Sequence, residues 1–282
     1  MAEASAPASS ANLGPGFDTV GLALEIRCRV VARRADGWSV RHHGEERPRP
    51  EAGDAVLDGA RLAVGGDRPL ALDVHNEVPV GKGLGSSAAA FAAGVLAAWR
   101  AVGESHPAER LFELVTEFEG HPDNAAATVY GGLVIATSRS VHRLPWNPRF
   151  RLVLAVPHDS YPTKEARLVL PEAYPSDVVV RTNARMGALV AGLLTGDEAL
   201  LREAGGDEIH EAPRQRERPD VGGLVDVARN AGAAHAAWSG AGPSVIAFVV
   251  ADRVEAVSRA LRDRMGEGGS VSNPTLATRG AV

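Results

Sequence analysis

The chain has 282 residues, 45% of them hydrophobic and 23% charged, and its formal net charge is -5. A chain of this length and balance can bury a substantial core, as one large domain or two ordinary ones. The acidic balance argues against a nucleic-acid partner. No apolar stretch of 18 residues is present, so no membrane partner is expected.

A single cysteine, Cys28, excludes an intrachain disulfide and a cysteine-rich metal site. It lies in the run 26–31, which predicts a buried strand and therefore a structural thiol. The first seven residues lack the basic stretch and apolar run of a signal peptide. We therefore expect a cytoplasmic enzyme.

The predicted elements mix strands and helices without a regular βα repeat. Runs 26–34 and 38–43, joined by a turn at Asp36-Gly37, predict a β-hairpin. Further strands are predicted at 70–78, 133–137, 151–156 and 245–250, and helices at 55–64, 88–102, 108–119, 178–194, 219–230 and 254–265. Residues 41–53 are predicted to form a loop, and the Gly/Ser-rich tail after Gly266 to be mobile. This mixture favours an α+β fold, divided near 147–149.

A glycine-rich loop precedes the Ala-rich helix: Gly81, Gly83 and Gly85 alternate, and Ser86-Ser87 follow. Glycines let the backbone approach an anion without a Cβ clash. The first amides of a helix have no partner within the helix and carry partial positive charge. Phosphate binding is therefore expected, with a serine hydroxyl available to Mg²⁺. A helix N-cap after a turn explains the same residues.

Two familiar nucleotide-binding patterns do not fit this loop. Gly83 follows Lys82, whereas a Walker A loop requires Ser or Thr after its lysine. Ala88 stands where the dinucleotide pattern G-x-G-x-x-G requires its third glycine. The loop therefore indicates a phosphate site of another kind.

An acidic segment places two carboxylates, an imidazole and an amide within six residues: Glu119, His121, Asp123 and Asn124. Pro122 predicts that the preceding helix stops at about His121, which places the polar groups at a helix end or in a loop. A kinase needs an oxygen ligand for Mg²⁺ and a group that orients or deprotonates the attacking hydroxyl. Glu119 suits the first role, and Asp123 or Asn124 the second. A capped helix end with a solvated surface explains the same residues.

Six segments in this order resemble the GHMP kinase superfamily, and most closely its homoserine kinase family: 10–18, 79–89, 119–124, 163–171, 211–214 and 239–244. The resemblance implies an α+β, two-domain GHMP kinase fold. Residues 1–148 would form the ATP-binding domain, similar to ribosomal protein S5 domain 2. Residues 149–282 would form a ferredoxin-like substrate domain.

The resemblance also implies a role for each matching residue. ATP would be held by Pro79, Lys82, Gly83, Leu84, Gly85, Ser86, Ser87 and Ala88. Ser87 and Glu119 would bind Mg²⁺. Asp18 would pair with the substrate ammonium, and Arg167 and Arg214 with its carboxylate, beside Gly240. The reacting hydroxyl would be surrounded by Asn12, His121, Asp123 and Asn124.

The implied activity is ATP-dependent phosphorylation of the side-chain hydroxyl of L-homoserine to O-phospho-L-homoserine, a step of threonine biosynthesis. A zwitterionic acceptor needs opposite charges at its two ends, and positioning supplies most of what phosphoryl transfer requires. Asp123 as a base and direct proton loss to the phosphate both stay open. A GHMP kinase for another small hydroxy amino acid is the alternative, and a non-catalytic ligand-binding protein is a third hypothesis. The family resemblance also implies a homodimer.

Overall fold

The computed structural model describes residues 1–48, 53–137 and 140–282, so the predicted loop at 41–53 lies partly outside it. The strands in these ranges are β1 Ala2–Asn12, β2 Gly16–Arg34, β3 Ser39–His43, β4 Leu70–Asn76, β5 Leu133–Ala136, β6 Val141–Leu144, β7 Phe150–Pro157, β8 His235–Trp238, β9 Val245–Val250 and β10 Gly269–Ser272. The helices are α1 Ala55–Val64, α2 Ser86–Val102, α3 Ala108–Glu119, α4 Pro122–Tyr130, α5 Thr163–Leu168, α6 Ser176–Thr195, α7 Glu198–Glu203, α8 Glu211–Glu217, α9 Pro219–Asn230 and α10 Val254–Met265. No helix in the described ranges is both long and apolar enough to cross a membrane.

The first sheet has six strands in the order β3-β4-β2-β5-β6, with β1 paired to β2. The long β2 strand runs antiparallel to β1 from the pair Ala2–Ala32 to the pair Asn12–Gly16. Helices α1, α2 and α4 pack with this sheet into one core, which includes Leu22, Leu72 and Phe91, each at most 2% exposed. The sheet thus supplies a rigid base for the loops at its ends.

The predicted hairpin between 26–34 and 38–43 is wrong. Strand β3 pairs with β4 in parallel, and β4 lies between β3 and β2. The reason is burial: Leu70, Leu72 and Val74 of β4 are at most 1% exposed, whereas every residue of β3 retains some exposure. The more apolar strand therefore occupies the inner position and the polar strand the edge.

The second sheet has four strands in the order β10-β7-β9-β8, all antiparallel to their neighbours. Its core includes Val153, Trp238 and Val249 on the strands, with Leu224 of α9 and Leu261 of α10 packed against them. This sheet carries β8 and β9, so it fixes the connecting loop 239–244 beside the first sheet.

The tail after Gly266 was expected to be mobile, and this expectation is wrong. Strand β10 pairs with β7, Leu276 forms a bridge with Leu24, and Val282 exchanges backbone hydrogen bonds with Ser5. Burial explains why the tail has a defined structure, because Ala277 is 0% exposed in an apolar cluster. The chain thus returns to the first sheet, and the division into domains 1–148 and 149–282 stays a prediction.

Helix α4 corrects the interpretation of Pro122. Helix α3 ends at Glu119, and Gly120 adopts the left-handed conformation at φ 80°. Pro122 then opens α4 at its first position, where its missing N–H costs nothing. A Cβ on Gly21 of β2 would overlap the carbonyl oxygen of Asp123, so this glycine lets the helix start approach the sheet closely.

Candidate active site

The glycine loop between β4 and α2 adopts backbone conformations that favour glycine. Gly81, Gly83 and Gly85 have φ values of 71°, 74° and 62°. A Cβ on Gly83 would overlap the carbonyl oxygen of Ser239, because the loop 239–244 of the second sheet lies directly against it. The two glycine-bearing loops of the sequence therefore form one structure.

Helix α2 begins at Ser86, and its N-cap is Gly85 rather than a serine. Gly85 provides no side-chain hydrogen bond to the first amides of the helix in the described structure. The first turn contains no acidic residue. The start of α2 therefore keeps the partial positive charge and outward amides that suit a phosphate group.

One cavity of about 460 Å³ joins the predicted site residues. Its lining contains all of them except Pro79 and Ala88: Asn12, Asp18, Lys82, Gly83, Leu84, Gly85, Ser86, Ser87, Glu119, His121, Asp123, Asn124, Arg167, Arg214 and Gly240. Ala88 instead belongs to the hydrophobic core, where it is 0% exposed. The glycine loop and the two arginines therefore line the same cavity.

Glu119 ends α3 at the cavity wall and forms a side-chain hydrogen bond with Ser87. Burial raises the pKa of Glu119, although the Ser87 bond and the nearby His121 oppose the shift. A nearly buried carboxylate and a hydroxyl in mutual contact are hard oxygen donors, which Mg²⁺ prefers. A divalent cation would also supply the positive charge that this buried carboxylate needs, so the pair fits a Mg²⁺ site.

His121, Asp123 and Asn124 form one hydrogen-bonded group at the start of α4. Asp123 Oδ1 lies 2.6 Å from His121 Nδ1 and accepts a bond of 2.7 Å from the Asn124 amide. Ser9 Oγ donates to Asn124 Oδ1 at 2.8 Å. Burial lowers the pKa of His121, but the hydrogen bond and charge of Asp123, with the charge of Glu119, outweigh it and leave the pKa raised. The group is therefore held in one arrangement.

Asp18 and Arg167 face the cavity as a bidentate ion pair, with nitrogen–oxygen distances of 2.7 and 3.1 Å. Burial lowers the pKa of Arg167, but the hydrogen bonds and charge of Asp18 reverse the shift and raise it. The backbone of Asp18 is strained at φ 52°, and its amide donates to Asn12 Oδ1 at 3.0 Å. Asp18 is thus fixed by its backbone.

Arg214 is buried, with 1% of its surface exposed. Its Nε donates to Ala166 O at 3.1 Å, and its Nη1 contacts His210 Nδ1 at 2.8 Å and Gly240 O at 3.2 Å. Burial, followed by repulsion from Arg167, lowers the pKa of Arg214 to about 10. Two guanidinium groups near one another repel each other, so this part of the cavity favours the binding of an anionic group.

Asn12 and Gly240 connect the opening segment to the second glycine loop. Asn12 Nδ2 donates to Gly240 O at 3.0 Å, and its oxygen receives the Asp18 amide. Asn12 adopts φ 70°, a conformation that non-glycine residues rarely take. Its side-chain amide is therefore used to position its neighbours as well as to line the cavity.

Lys82 reaches across to the second sheet. Its Nζ donates to the carbonyl oxygens of His158 and Asp159, just beyond β7. The Tyr161 amide contacts Gly81 O at 3.4 Å in the same region. The glycine loop is therefore tied to the segment that leads to α5 and Arg167.

Asp18, His121 and Asp123 bring three potential ligand atoms within 4.8 Å of one another. Arg167 already contacts both carboxylate oxygens of Asp18, and Asp123 contacts His121 Nδ1. Two carboxylates at one point of the cavity suit a small organic cation such as an ammonium group.

The sequence interpretation missed Phe17 and His210. Phe17 lines the cavity with the guanidinium carbons of Arg167 and Arg214 at 5.5 and 5.8 Å from its ring centre. His210 stacks on Phe17 with ring centres 5.2 Å apart. Phe17 lies inside the opening segment, which was the available signal for it, whereas His210 precedes the segment 211–214 by one residue.

The comparisons with known proteins agree over both halves of the chain. Residues 54–132 match the family "GHMP kinases N terminal domain", and residues 189–267 match "GHMP kinases C terminal". A homoserine kinase of Synechococcus sp. (strain CC9605) is 39% identical over 271 residues, which cover 90% of this chain and 86% of that protein.

Solved structures show the same fold. The crystal structure of homoserine kinase from Cytophaga hutchinsonii ATCC 33406 has a TM-score of 0.86 and 28% identity, covering 100% of this chain and 96% of that one. Mevalonate kinase of L. major, at 15% identity and a TM-score of 0.76, covers 98% of this chain and 96% of its own, and shows the fold alone. This is a two-domain GHMP kinase fold with mixed helices and strands. The chain therefore belongs to the homoserine kinase family of GHMP small-molecule kinases.

Proposed function

We propose that this chain transfers the γ-phosphoryl group of ATP, with Mg²⁺, to the side-chain hydroxyl of L-homoserine. The observation that carries the proposal is the cavity itself, which joins an uncapped helix start to a group of opposite charges. Amides at Gly83–Ser87 suit a triphosphate. Asp18 suits an ammonium group, while Arg167 and Arg214 suit a carboxylate. The product would be O-phospho-L-homoserine, which serves threonine biosynthesis.

The acceptor would exchange partners with an existing ion pair. Its ammonium would take Asp18, and its carboxylate would take Arg167 together with Arg214, whose two positive charges lie near one another. Holding both ends aims the side-chain hydroxyl at the γ-phosphate, and such positioning is the main requirement of phosphoryl transfer.

Ser87 and Glu119 are the residues that would hold Mg²⁺, because the Ser87 hydroxyl, at the start of α2, interacts with the Glu119 carboxylate and favours its ionised form. Bound there with the nucleotide, the ion would neutralise charge on the phosphate oxygens. Lys82 contributes a further positive charge to the glycine loop.

The hydroxyl proton has two chemically reasonable destinations, Asp123 or the transferred phosphoryl group. His121 Nδ1 and the Asn124 amide both contact Asp123 Oδ1, which fixes the orientation of the carboxylate. Substitution Asp123→Asn separates the two routes. A base contributes about 10²–10⁴-fold, so a smaller loss of turnover would favour direct transfer to phosphate.

A coupled assay of ADP release with homoserine, threonine, serine and mevalonate tests the function. We expect homoserine to have the highest kcat/KM. Turnover of threonine without homoserine would replace the proposal by the alternative kinase for another hydroxy amino acid. Without ADP release from any of the four, the proposal fails, leaving another acceptor or a non-catalytic role.

We also propose that the protein acts as a homodimer in the cytoplasm. Val179 and Val180, in the first two turns of α6, are 44% and 66% exposed, and we place them in the contact with the second copy. Light scattering after size-exclusion chromatography measures the mass directly. A mass of one chain at micromolar concentration would contradict the dimer.

A further inference from the structure

His210 lies immediately before α8 and is completely buried. Its Nδ1 lies 2.8 Å from Arg214 Nη1, one turn further along the chain. Its Nε2 lies 2.8 Å from the carbonyl oxygen of Gly14 in the opening segment. Both ring nitrogens are therefore in contact with groups whose hydrogen-bonding character is fixed.

These two partners determine the tautomer of the imidazole. A guanidinium group can only donate, so His210 Nδ1 must be the acceptor. A carbonyl oxygen can only accept, so Nε2 must carry the proton. The ring is consequently neutral, and burial supports the same state by lowering the pKa of His210 to about 4.

The surroundings prevent the ring from turning. Phe17 stacks on it at 5.2 Å with an angle of 21° between the planes. Asp207 Oδ2 accepts the backbone amide of His210 at 2.7 Å and that of Glu211 at 2.9 Å. The acceptor nitrogen is therefore presented to Arg214 from a fixed direction.

Arg214 is held through two of its three guanidinium nitrogens. Among the described residues, hydrogen bonds engage its Nε and Nη1 and none engages Nη2, while its side chain lines the cavity. A guanidinium group is planar, so fixing Nε and Nη1 also fixes the direction of Nη2. The bond to His210, with those to Ala166 O and Gly240 O, thus sets how Arg214 presents its remaining donor.

We propose that His210 is a positioning residue for acceptor recognition, which orients Arg214 toward the carboxylate of the acceptor. This inference rests on the proposed function, because that function assigns the carboxylate to Arg214. His210 would touch neither the acceptor nor the nucleotide. Its loss should therefore raise the KM for homoserine while leaving the KM for ATP and kcat nearly unchanged.

Two substitutions distinguish the hydrogen bond to Arg214 from the hydrogen bond to Gly14. His210→Asn places an amide oxygen near the position of Nδ1 and keeps an acceptor for Arg214. His210→Gln reaches the position of Nε2, keeps a donor for Gly14 and removes that acceptor. We expect H210Q to raise the homoserine KM at least about tenfold, and H210N to stay within about threefold of the wild type.

His235 provides a matched control. It is also buried, and its Nε2 contacts the neighbouring carbonyl oxygen, Leu13 O, at 2.9 Å. It lies on β8, however, and forms no hydrogen bond with Arg214 in the described ranges. His235→Gln can keep the Leu13 bond and should leave the homoserine KM unchanged. Melting midpoints of all three variants identify any that do not fold.

An acceptor analogue without a carboxylate distinguishes positioning from general damage. The inhibition constant of 3-aminopropan-1-ol against homoserine should be the same in the wild type and H210Q, because this amino alcohol does not use Arg214. The inference is overturned if the homoserine KM is unchanged in H210Q. It is overturned equally if the ATP KM or the amino-alcohol inhibition constant of H210Q rises by as large a factor as its homoserine KM.

The tautomer can be tested without substitution. Long-range ¹H–¹⁵N spectra of the histidine-labelled wild type, with ring signals assigned residue by residue, should show His210 as a neutral ring protonated at Nε2 with an unprotonated Nδ1. A His210 ring protonated at Nδ1 would overturn the inference even if H210Q fails to fold. Absence of homoserine turnover by the wild type would instead reject the proposed function, which the same spectra do not test.

Discussion

Asp18 and Arg167 form a bidentate ion pair in the cavity, although Asp18 lies on β2 and Arg167 on α5, 149 positions further along the chain. Each group is about one third exposed. The cavity thus contains a carboxylate that can bind the ammonium group of an amino acid and a guanidinium that can bind its carboxylate. Without a ligand, these two groups neutralise each other. A zwitterion can replace both partners at once, whereas a ligand with a single charge leaves one of them uncompensated.

Substitution Arg167→Gln should therefore raise the homoserine KM by about 10- to 100-fold, because a charged hydrogen bond contributes about 1.5–3 kcal/mol. The KM for ATP should stay within about twofold. Steady-state kinetics with each substrate varied in turn measure both. Since a partly exposed ion pair contributes about 0–1 kcal/mol to folding, the melting midpoint should change little.

Arg181 on α6 provides the control for this substitution, because its ion pairs with Asp177 and Glu208 lie outside the cavity lining. Arg181→Gln should leave both KM values unchanged. A rise in the ATP KM alone for Arg167→Gln would show that Arg167 serves the nucleotide and not the acceptor carboxylate.

Substitution Glu119→Gln should lower kcat by about 10²-fold or more, because it removes a charged metal ligand. The neighbouring Glu117→Gln, on an exposed position of the same helix, is the matched control and should leave kcat unchanged. ADP release at saturating Mg²⁺ measures both variants. An unchanged rate for Glu119→Gln under these conditions would contradict the metal assignment.

Local patterns predicted the six longer helices among the described residues, whereas the short helices α4, α5, α7 and α8 were not predicted. Helices α3, α9 and α10 and strand β9 coincide with their predicted ranges, because periodic apolar spacing and boundary residues act within each segment. Strand β1 was not predicted, because its alternating positions carry Ala with Glu, Ser and Pro, and alanine, glutamate and proline are depleted in strands. Small residues instead let most of β1 lie buried against neighbouring elements, which depends on tertiary contacts.

In the candidate site, too, local motifs could be predicted, whereas contacts between distant residues could not. Its charged and glycine residues could be identified because they occur in compact motifs with recognisable chemistry. The contact between Arg214 and His210 could not, because the carbonyl oxygen of Gly14 that fixes the histidine lies 196 positions away. Residues that position others are therefore the part of the site that only the folded chain makes visible.

Substitution Gly83→Ala should lower stability and raise the ATP KM. Gly83 has φ 74°, and its Cβ would overlap Ser239 O and crowd Gly242 of the facing loop. The left-handed conformation costs about 1–2 kcal/mol, and the overpacking adds about 1–3 kcal/mol. Urea denaturation and ATP kinetics measure the two effects.

Gly103, at the end of α2, isolates the conformational part of this cost. Its φ is 84°, but a Cβ there would meet nothing within 4 Å. Gly103→Ala should therefore lose only the backbone contribution and keep the ATP KM of the wild type. Equal losses of stability in the two variants would show that the contact between the glycine loops contributes nothing.

Substitution Glu211→Gln should stabilise the protein more at pH 8 than at pH 5. Burial, followed by repulsion from Asp207, raises the pKa of Glu211 from 4.5 to about 7. Between these values the folded protein holds a proton that the unfolded chain has released, so stability falls as the pH rises. Glutamine keeps an acceptor for the Trp238 amide, which lies 2.7 Å from Glu211 Oε1, and removes the titration.

The stability gap between Glu211→Gln and the wild type should therefore widen by up to about 3 kcal/mol from pH 5 to pH 8. Arg229 and Arg214 attract the ionised carboxylate and oppose the shift, so they limit the gap. Urea denaturation at both pH values measures it, with Glu217→Gln, an exposed position of the same helix, as the control. A gap that is the same at both pH values would mean that Glu211 is ionised throughout, with its charge balanced by the two arginines.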